Sequence, residues 1–338
     1  MSIKRMLILI GMLAVAVIVL TACAGQAGPA GPAGPAGPAG PAGPAATAPK
    51  ASDLSCTQCH NDTTMISGPA TSWATSVHGS GTAFDNASHE STCTGCHTGA
   101  GFMDRMTAAQ TDPNKFTTVY ANPTRIDCRA CHQIHTTYTK DDFALRTSTA
   151  VPMFALQGAT FDGGKGNLCA NCHQARTAFP APAADGTVNV SSPHWGPHHG
   201  PEAAMLLGTG GSPDVKGAPS SHYSKVTDTC VACHMGGDAA SHAFTPDVAN
   251  CVKCHANATD FDMNGAVTAM DTKIAAVKAA LTKAGLLDKT GTVVVGNYPA
   301  AKAGALWNYE LVTQDKSHGV HNMAYANALM DAALAALK

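Results

Sequence analysis

Charge is scarce in this sequence. Of its 338 residues, 13% are Asp, Glu, Lys or Arg, and 21 basic against 23 acidic side chains leave the net charge near zero. No basic block stands out that would track a phosphate backbone, so nucleic acid is not an expected partner. Aromatic residues are only 5%. From about Pro49 to Ala258 the chain is rich in Gly, Pro, Ser, Thr, Asn and Asp and lacks helical or strand periodicity longer than a turn or two. Such a stretch cannot build an ordinary side-chain core, so something else must supply apolar bulk. The apolar run at the start, Met6 to Leu20, falls short of a membrane span.

Lys4 and Arg5 precede that run, and Leu20-Thr21-Ala22-Cys23 closes it. Small residues before a cysteine resemble a bacterial lipobox, so residues 1–23 are expected to be a lipoprotein signal peptide and Cys23 the acylated N-terminus of the exported protein. The competing reading is an uncleaved anchor helix, and both export the bulk of the chain. Residues 24–48 read as a collagen-like linker. Glycine recurs every third residue from Gly25 to Ala45, and from Gly28 the unit Gly-Pro-Ala repeats six times. At ~3.1 Å per residue this makes a stiff polyproline-like spacer of roughly 65 Å. A short unhydroxylated tract has little cooperative stability, which favours a spacer over a trimerising triple helix.

Thirteen cysteines in an exported chain would ordinarily suggest disulfides, but twelve fall into six pairs of one form and only Cys23 is left over. The form is Cys-x-x-Cys-His, at Cys56/Cys59/His60, Cys93/Cys96/His97, Cys128/Cys131/His132, Cys169/Cys172/His173, Cys230/Cys233/His234 and Cys251/Cys254/His255. Each is a c-type haem attachment sequence. Two thiols separated by two residues sit on one turn and can each form a thioether, while the adjacent histidine reaches the iron from the same side. Zinc also binds paired Cys-x-x-Cys units but does not require a histidine after every second cysteine. Six covalently bound haems are therefore expected, and six large flat macrocycles would supply the missing apolar bulk.

Ten further histidines remain: His78, His89, His135, His194, His198, His199, His222, His242, His318 and His321. Six irons need six distal ligands, and so large a supply favours bis-histidine ligation. The first choices are His78, His135, His199, His222, His242 and His321, with His89, His194, His198 and His318 in reserve. None of the methionines stands in a context that singles it out as a ligand.

Several stretches resemble the multihaem cytochromes that include ammonia-forming cytochrome c nitrite reductase, and especially the outer-surface cytochromes of metal-reducing bacteria. They are Trp73-Ala-Thr-Ser-Val-His78-Gly, His198-His199-Gly-Pro with Met205-Leu-Leu-Gly208, Cys230-Val-Ala-Cys-His-Met235 with His242-Ala-Phe-Thr-Pro246, and Asp315-Lys-Ser-His-Gly-Val-His321-Asn322. The resemblance implies distal-ligand roles for His78 and His321 and a helical C-terminus that often packs between subunits. There is one departure: the nitrite reductases usually carry one motif ending in Lys at the substrate-binding iron, whereas all six motifs here end in His. An iron with both axial positions filled exchanges electrons readily but binds substrate only by losing a ligand.

The expected fold class is mainly α with extensive irregular chain, a multihaem cytochrome c organised around a haem stack. Residues 49–262 are the expected hexahaem domain and 263–338 a helical C-terminal segment. In the latter, Val267, Met270, Ile274, Val277 and Leu281 recur at helical spacing up to Gly285. A second helix is expected from Pro299 to about Val312, and a third after His321 on the stripe Met323, Ala326, Leu329, Met330, Ala333 and Leu334. The expected function is electron transfer between other cytochromes or electron acceptors, from an outer-membrane or cell-surface position held by the lipid anchor. A reductase of a small nitrogen or sulfur oxyanion is the alternative with an open iron. A haem filament with ligation between copies, or a homo-oligomer through the C-terminal helices, is the structural alternative.

Overall fold

A computed structural model describes residues 59–60, 64–87, 90–236 and 241–338, all within a compact unit spanning Pro49–Lys338. The expected signal peptide, Cys23 and the Gly-Pro-Ala linker lie outside the described residues, as do Cys56 and His89. The described chain is mainly helical with long irregular connections and two small two-stranded sheets.

Two helices of some length precede the second and third motifs, α1 (Thr64–Thr75) and α2 (Gly99–Thr107). Periodicity hid both, because α1 contains Pro69 and α2 opens on glycines. Helix α2 is fixed by its cap, where Thr98 Oγ1 accepts from the Gly101 amide at 3.0 Å. The Cys-x-x-Cys-His motifs lie on helical segments of one or two turns, among them Ser91–His97, Cys128–Cys131 and Cys230–His234. Their spacing closes that turn: the amides of His132, His173 and His255 donate to the carbonyls of Cys128, Cys169 and Cys251 at 2.8, 2.9 and 2.8 Å.

The middle of the chain has more side-chain core than its composition suggests. A hairpin of β1 (Val151–Pro152) and β2 (Thr160–Phe161) packs Val151, Met153 and Phe161 against Ala170, Ala175, Ala203, Ala204 and Leu206. Half of those eight are alanines, so the cluster is thin. The helical turn Glu202–Leu207 ends at Gly208, whose φ of 68° suits glycine and where a Cβ would meet the Ala218 carbonyl at 2.3 Å. Its Met205 points away from this cluster into the C-terminal core.

That second core is built by α3 (Ala266–Lys283), α4 (Ala300–Gln314) and α5 (Met323–Ala336). Met270, Val277 and Leu281 of α3 are buried, as are Ala326, Leu329, Met330 and Ala333 of α5. Helix α4 is buried at every residue from Ala303 to Val312. It is enclosed because Trp307 docks sideways, donating to the Gly210 carbonyl at 2.7 Å and meeting Trp195 and Phe179 edge-on. Strand β3 (Thr187–Val190) pairs antiparallel with β4 (Gly296–Pro299), Thr187 opposite Pro299 and Val190 opposite Gly296. The C-terminal helices therefore pack on Val190, Met205 and Trp195 of their own chain. Among the described residues no helix is long and apolar enough to cross a membrane.

Candidate cofactor site

Each of the six motif histidines faces one other imidazole. The ring centroids are 6.2 Å apart for His60 and His135, 6.0 Å for His97 and His198, and 6.2 Å for His132 and His242. They are 6.0 Å apart for His173 and His78, 6.3 Å for His234 and His321, and 6.3 Å for His255 and His222. Two imidazoles on opposite faces of one metal have centroids about 6.2 Å apart, from about 2 Å per metal–nitrogen bond and about 1.1 Å from each nitrogen to its ring centre. The residues present thus fit an iron held between two imidazoles at every pair, and in the sequence two cysteines precede each motif histidine. No three His, Cys, Asp or Glu among the described residues converge as a separate metal site.

The hydrogen bonds leave the right nitrogen free. His132 Nδ1 donates to the Phe143 carbonyl at 2.7 Å, His234 Nδ1 to the Phe244 carbonyl at 2.9 Å and His222 Nδ1 to the Val320 carbonyl at 2.7 Å. At His173 and His321 the acceptor is a carboxylate instead, Glu202 Oε2 at 3.2 Å and Asp315 Oδ1 at 2.6 Å. An occupied Nδ1 directs the Nε2 lone pair at the metal. Burial, with the neighbouring His173, pushes the His78 pKa down to about 4. Burial also lowers His198 to about 4, helped by Arg176, His97 and His199. Both shifts favour the neutral ring, the form that binds a metal.

The six sites adjoin one another. The Cys96 and Cys172 thiols lie within hydrogen-bonding reach, as do Cys169 and Cys230. Cys131 acts electrostatically on Cys169 and Cys172, and Cys251 and Cys254 act on Cys233. His135 is three residues beyond His132, so the first and third sites share a loop. Arg105 was not anticipated from the sequence. Fully buried, it donates to the Gly95 carbonyl inside the second motif at 3.1 Å and to the Asn171 carbonyl inside the fourth at 3.0 Å.

Of the positions favoured from the sequence, His78, His135, His222, His242 and His321 each face a motif histidine, while His199 does not. Its neighbour His198 takes that place. His198 has a φ of 77° and Gly200 one of 79°, and this left-handed turn aims the His198 ring at His97 while the His199 ring points to Gln314 at the end of α4. His318 pairs with Asp271 at 2.5 Å on the surface, and His194 is exposed.

No family model matches the chain, and no curated protein matches it. Its fold is similar to the crystal structure of the outer cell wall cytochrome OcwA, with a TM-score of 0.52 and 23% identity over 79% of this chain. The match covers 50% of that chain, so this protein spans about half the length of that structure. The fold thus resembles that of a multihaem cytochrome structure.

Proposed function

We propose that this protein is a hexahaem c-type cytochrome that passes electrons between redox partners at the cell surface. The observation that carries this is the one-to-one matching of six motif histidines with six facing imidazoles at 6.0 to 6.3 Å. Cys56 and Cys59, Cys93 and Cys96, Cys128 and Cys131, Cys169 and Cys172, Cys230 and Cys233, and Cys251 and Cys254 would hold the six haems as thioethers. His78, His135, His198, His222, His242 and His321 would complete the irons opposite the motif histidines. Haem supplies a one-electron couple at each site, and the chain's own residues fix the axial rings so that little reorganises when an electron arrives.

Lipid attachment at Cys23 and a spacer over residues 24–48 would hold the body away from an outer membrane. The donor would be another cytochrome and the acceptor an extracellular cytochrome or oxidant, in keeping with the likeness in fold to an outer cell wall cytochrome. Reduction of nitrite or sulfite would need an iron with one open face, and the matched pairs favour none. Ligation between copies in a filament would need a motif histidine left without a facing ring in its own chain, and the six pairs leave none.

The test is electron paramagnetic resonance of the oxidised protein with and without nitrite, beside the mass added by covalent haem. Six haems and six low-spin irons indifferent to nitrite are expected. One high-spin iron that responds to nitrite would make the protein an enzyme and refute the proposal.

A further inference from the structure

The described Nδ1 partners of the paired histidines are of two kinds, and the carboxylate kind stands at two neighbouring sites. Carbonyls back His132, His222 and His234. Carboxylates back His173 and His321. Both carboxylates are built into place. Asp315 has a fully buried side chain that also accepts from the Ser317 hydroxyl, and Ser317 Oγ in turn accepts from the His321 amide at 3.2 Å. Glu202 opens its helical turn, and the next amide, Ala203, donates to the His173 carbonyl at 3.1 Å, so backbone and side chain hold the same histidine. Gly200 makes room for this pair: a Cβ there would lie 3.2 Å from Glu202 Oε2 and 3.5 Å from His173 Nδ1, on a backbone with a φ of 79°.

An anionic acceptor on Nδ1–H draws the proton away and makes the imidazole more basic at Nε2. A more basic, more negative ligand stabilises ferric over ferrous iron, whereas a carbonyl does so much less. We infer that Glu202 and Asp315 are potential-setting residues, acting through His173 and His321 to hold those two irons at lower reduction potential than the irons of the third and sixth sites, whose described Nδ1 partners are carbonyls alone. This rests on the proposed haem ligation.

The placement gives the inference a functional meaning. The two carboxylate-backed sites are neighbours through Cys169 and Cys230. The sites at the two ends are the most open: the rings of His60, His135 and His255 are exposed. At the second site, beside the fourth, no carboxylate is bonded to either ring, and the guanidinium of Arg176 acts on both His97 and His198. Electrons in a partly reduced protein would then rest at the ends and at the second site, and cross a low-potential centre when they pass through.

The test uses the full holoprotein in a spectroelectrochemical titration followed by electron paramagnetic resonance, comparing the unaltered chain with Glu202→Gln and Asp315→Asn. Each amide keeps the shape and an acceptor oxygen but removes the charge. Each variant should keep six low-spin irons, move one of the six potentials upward, and alter the g values of one low-spin species. Ser317→Ala keeps the Asp315 charge and removes a hydroxyl that disperses it, so one potential should move downward; it decides the matter if Asp315→Asn fails to load all its haems. Asp271→Asn, which alters only the exposed pair with His318, should leave the titration unchanged. Six low-spin irons with unmoved potentials in Glu202→Gln and Ser317→Ala would overturn this inference and leave the haem proposal standing. An unaltered chain without six low-spin haems would overturn the haem proposal itself.

Discussion

The sharpest test of the paired-imidazole geometry sets His198 against His199, adjacent residues of one type. In His198→Asn the ring facing His97 is removed, and asparagine tolerates the left-handed backbone at this position, where φ is 77°. With one iron per facing pair, as proposed, the variant should lose one sixth of the low-spin intensity, about 17%, with a matching high-spin signal. It should also bind one equivalent of cyanide or nitrite per chain. In His199→Asn the exposed ring bonded to Gln314 is lost and no facing pair is touched, so all the low-spin intensity should remain. The assay is spin quantitation at equal covalent haem content, checked by mass. If His199→Asn opened an iron while His198→Asn kept the full low-spin signal, the ring geometry would have been misassigned.

Two further outcomes follow from the packing. Burial pushes the Tyr325 phenol up to about 12 from an ordinary value of 10.0, so the unfolded chain releases this proton first as pH rises. Its contribution is complete below pH 10 and is lost between pH 10 and about 12, worth about 2–3 kcal/mol; urea unfolding at stepped pH should show this loss, and Tyr325→Phe should lack it. Arg105→Met fills similar volume but leaves the carbonyls of Gly95, Gln110, Thr111 and Asn171 without their donor. A loss on the order of 3 kcal/mol is expected from the urea midpoint, and an unchanged midpoint would mean that water replaces the guanidinium.

The parts of the molecule written in short-range pattern were legible from the sequence. The C-terminal stripes placed α3 and α5 to within a few residues because a helix buries one face every three to four positions, and Pro299 and Gly285 bound α4 and α3 as such residues do. Cys-x-x-Cys-His closes its own turn, so it too is local. What was not legible depends on remote partners. Strands β3 and β4 are four residues each and lie more than a hundred residues apart, too short to alternate detectably. The core around Phe161 draws on alanines that no hydrophobic pattern marks. Choosing between His198 and His199 required the sign of one φ angle, which composition does not encode. Arg105 gave no signal, since its partners are backbone carbonyls inside two distant motifs.

The C-terminal bundle holds no Cys-x-x-Cys-His motif, yet it is not merely a companion to the region that does. The loop between α4 and α5 carries His321, which faces His234, and its Val320 carbonyl holds His222, which faces His255. Asn322 caps α5 by accepting from the Tyr325 amide, and its own amide donates to the carbonyls of Met205 and Ala218 at 3.1 and 2.9 Å, so helix and loop move as one piece. Loosening the bundle should therefore disturb the fifth and sixth sites and spare the first and third, whose partners His135 and His242 lie elsewhere. Leu329→Ala is the clean perturbation: the side chain is fully buried on α5, away from every facing pair, and truncation costs about 2–5 kcal/mol. Heating the variant should release the low-spin signatures of two sites well below the temperature at which the others are lost. A single concerted loss of all six would mean that the bundle and the rest of the described body unfold as one cooperative unit, which would refute this division.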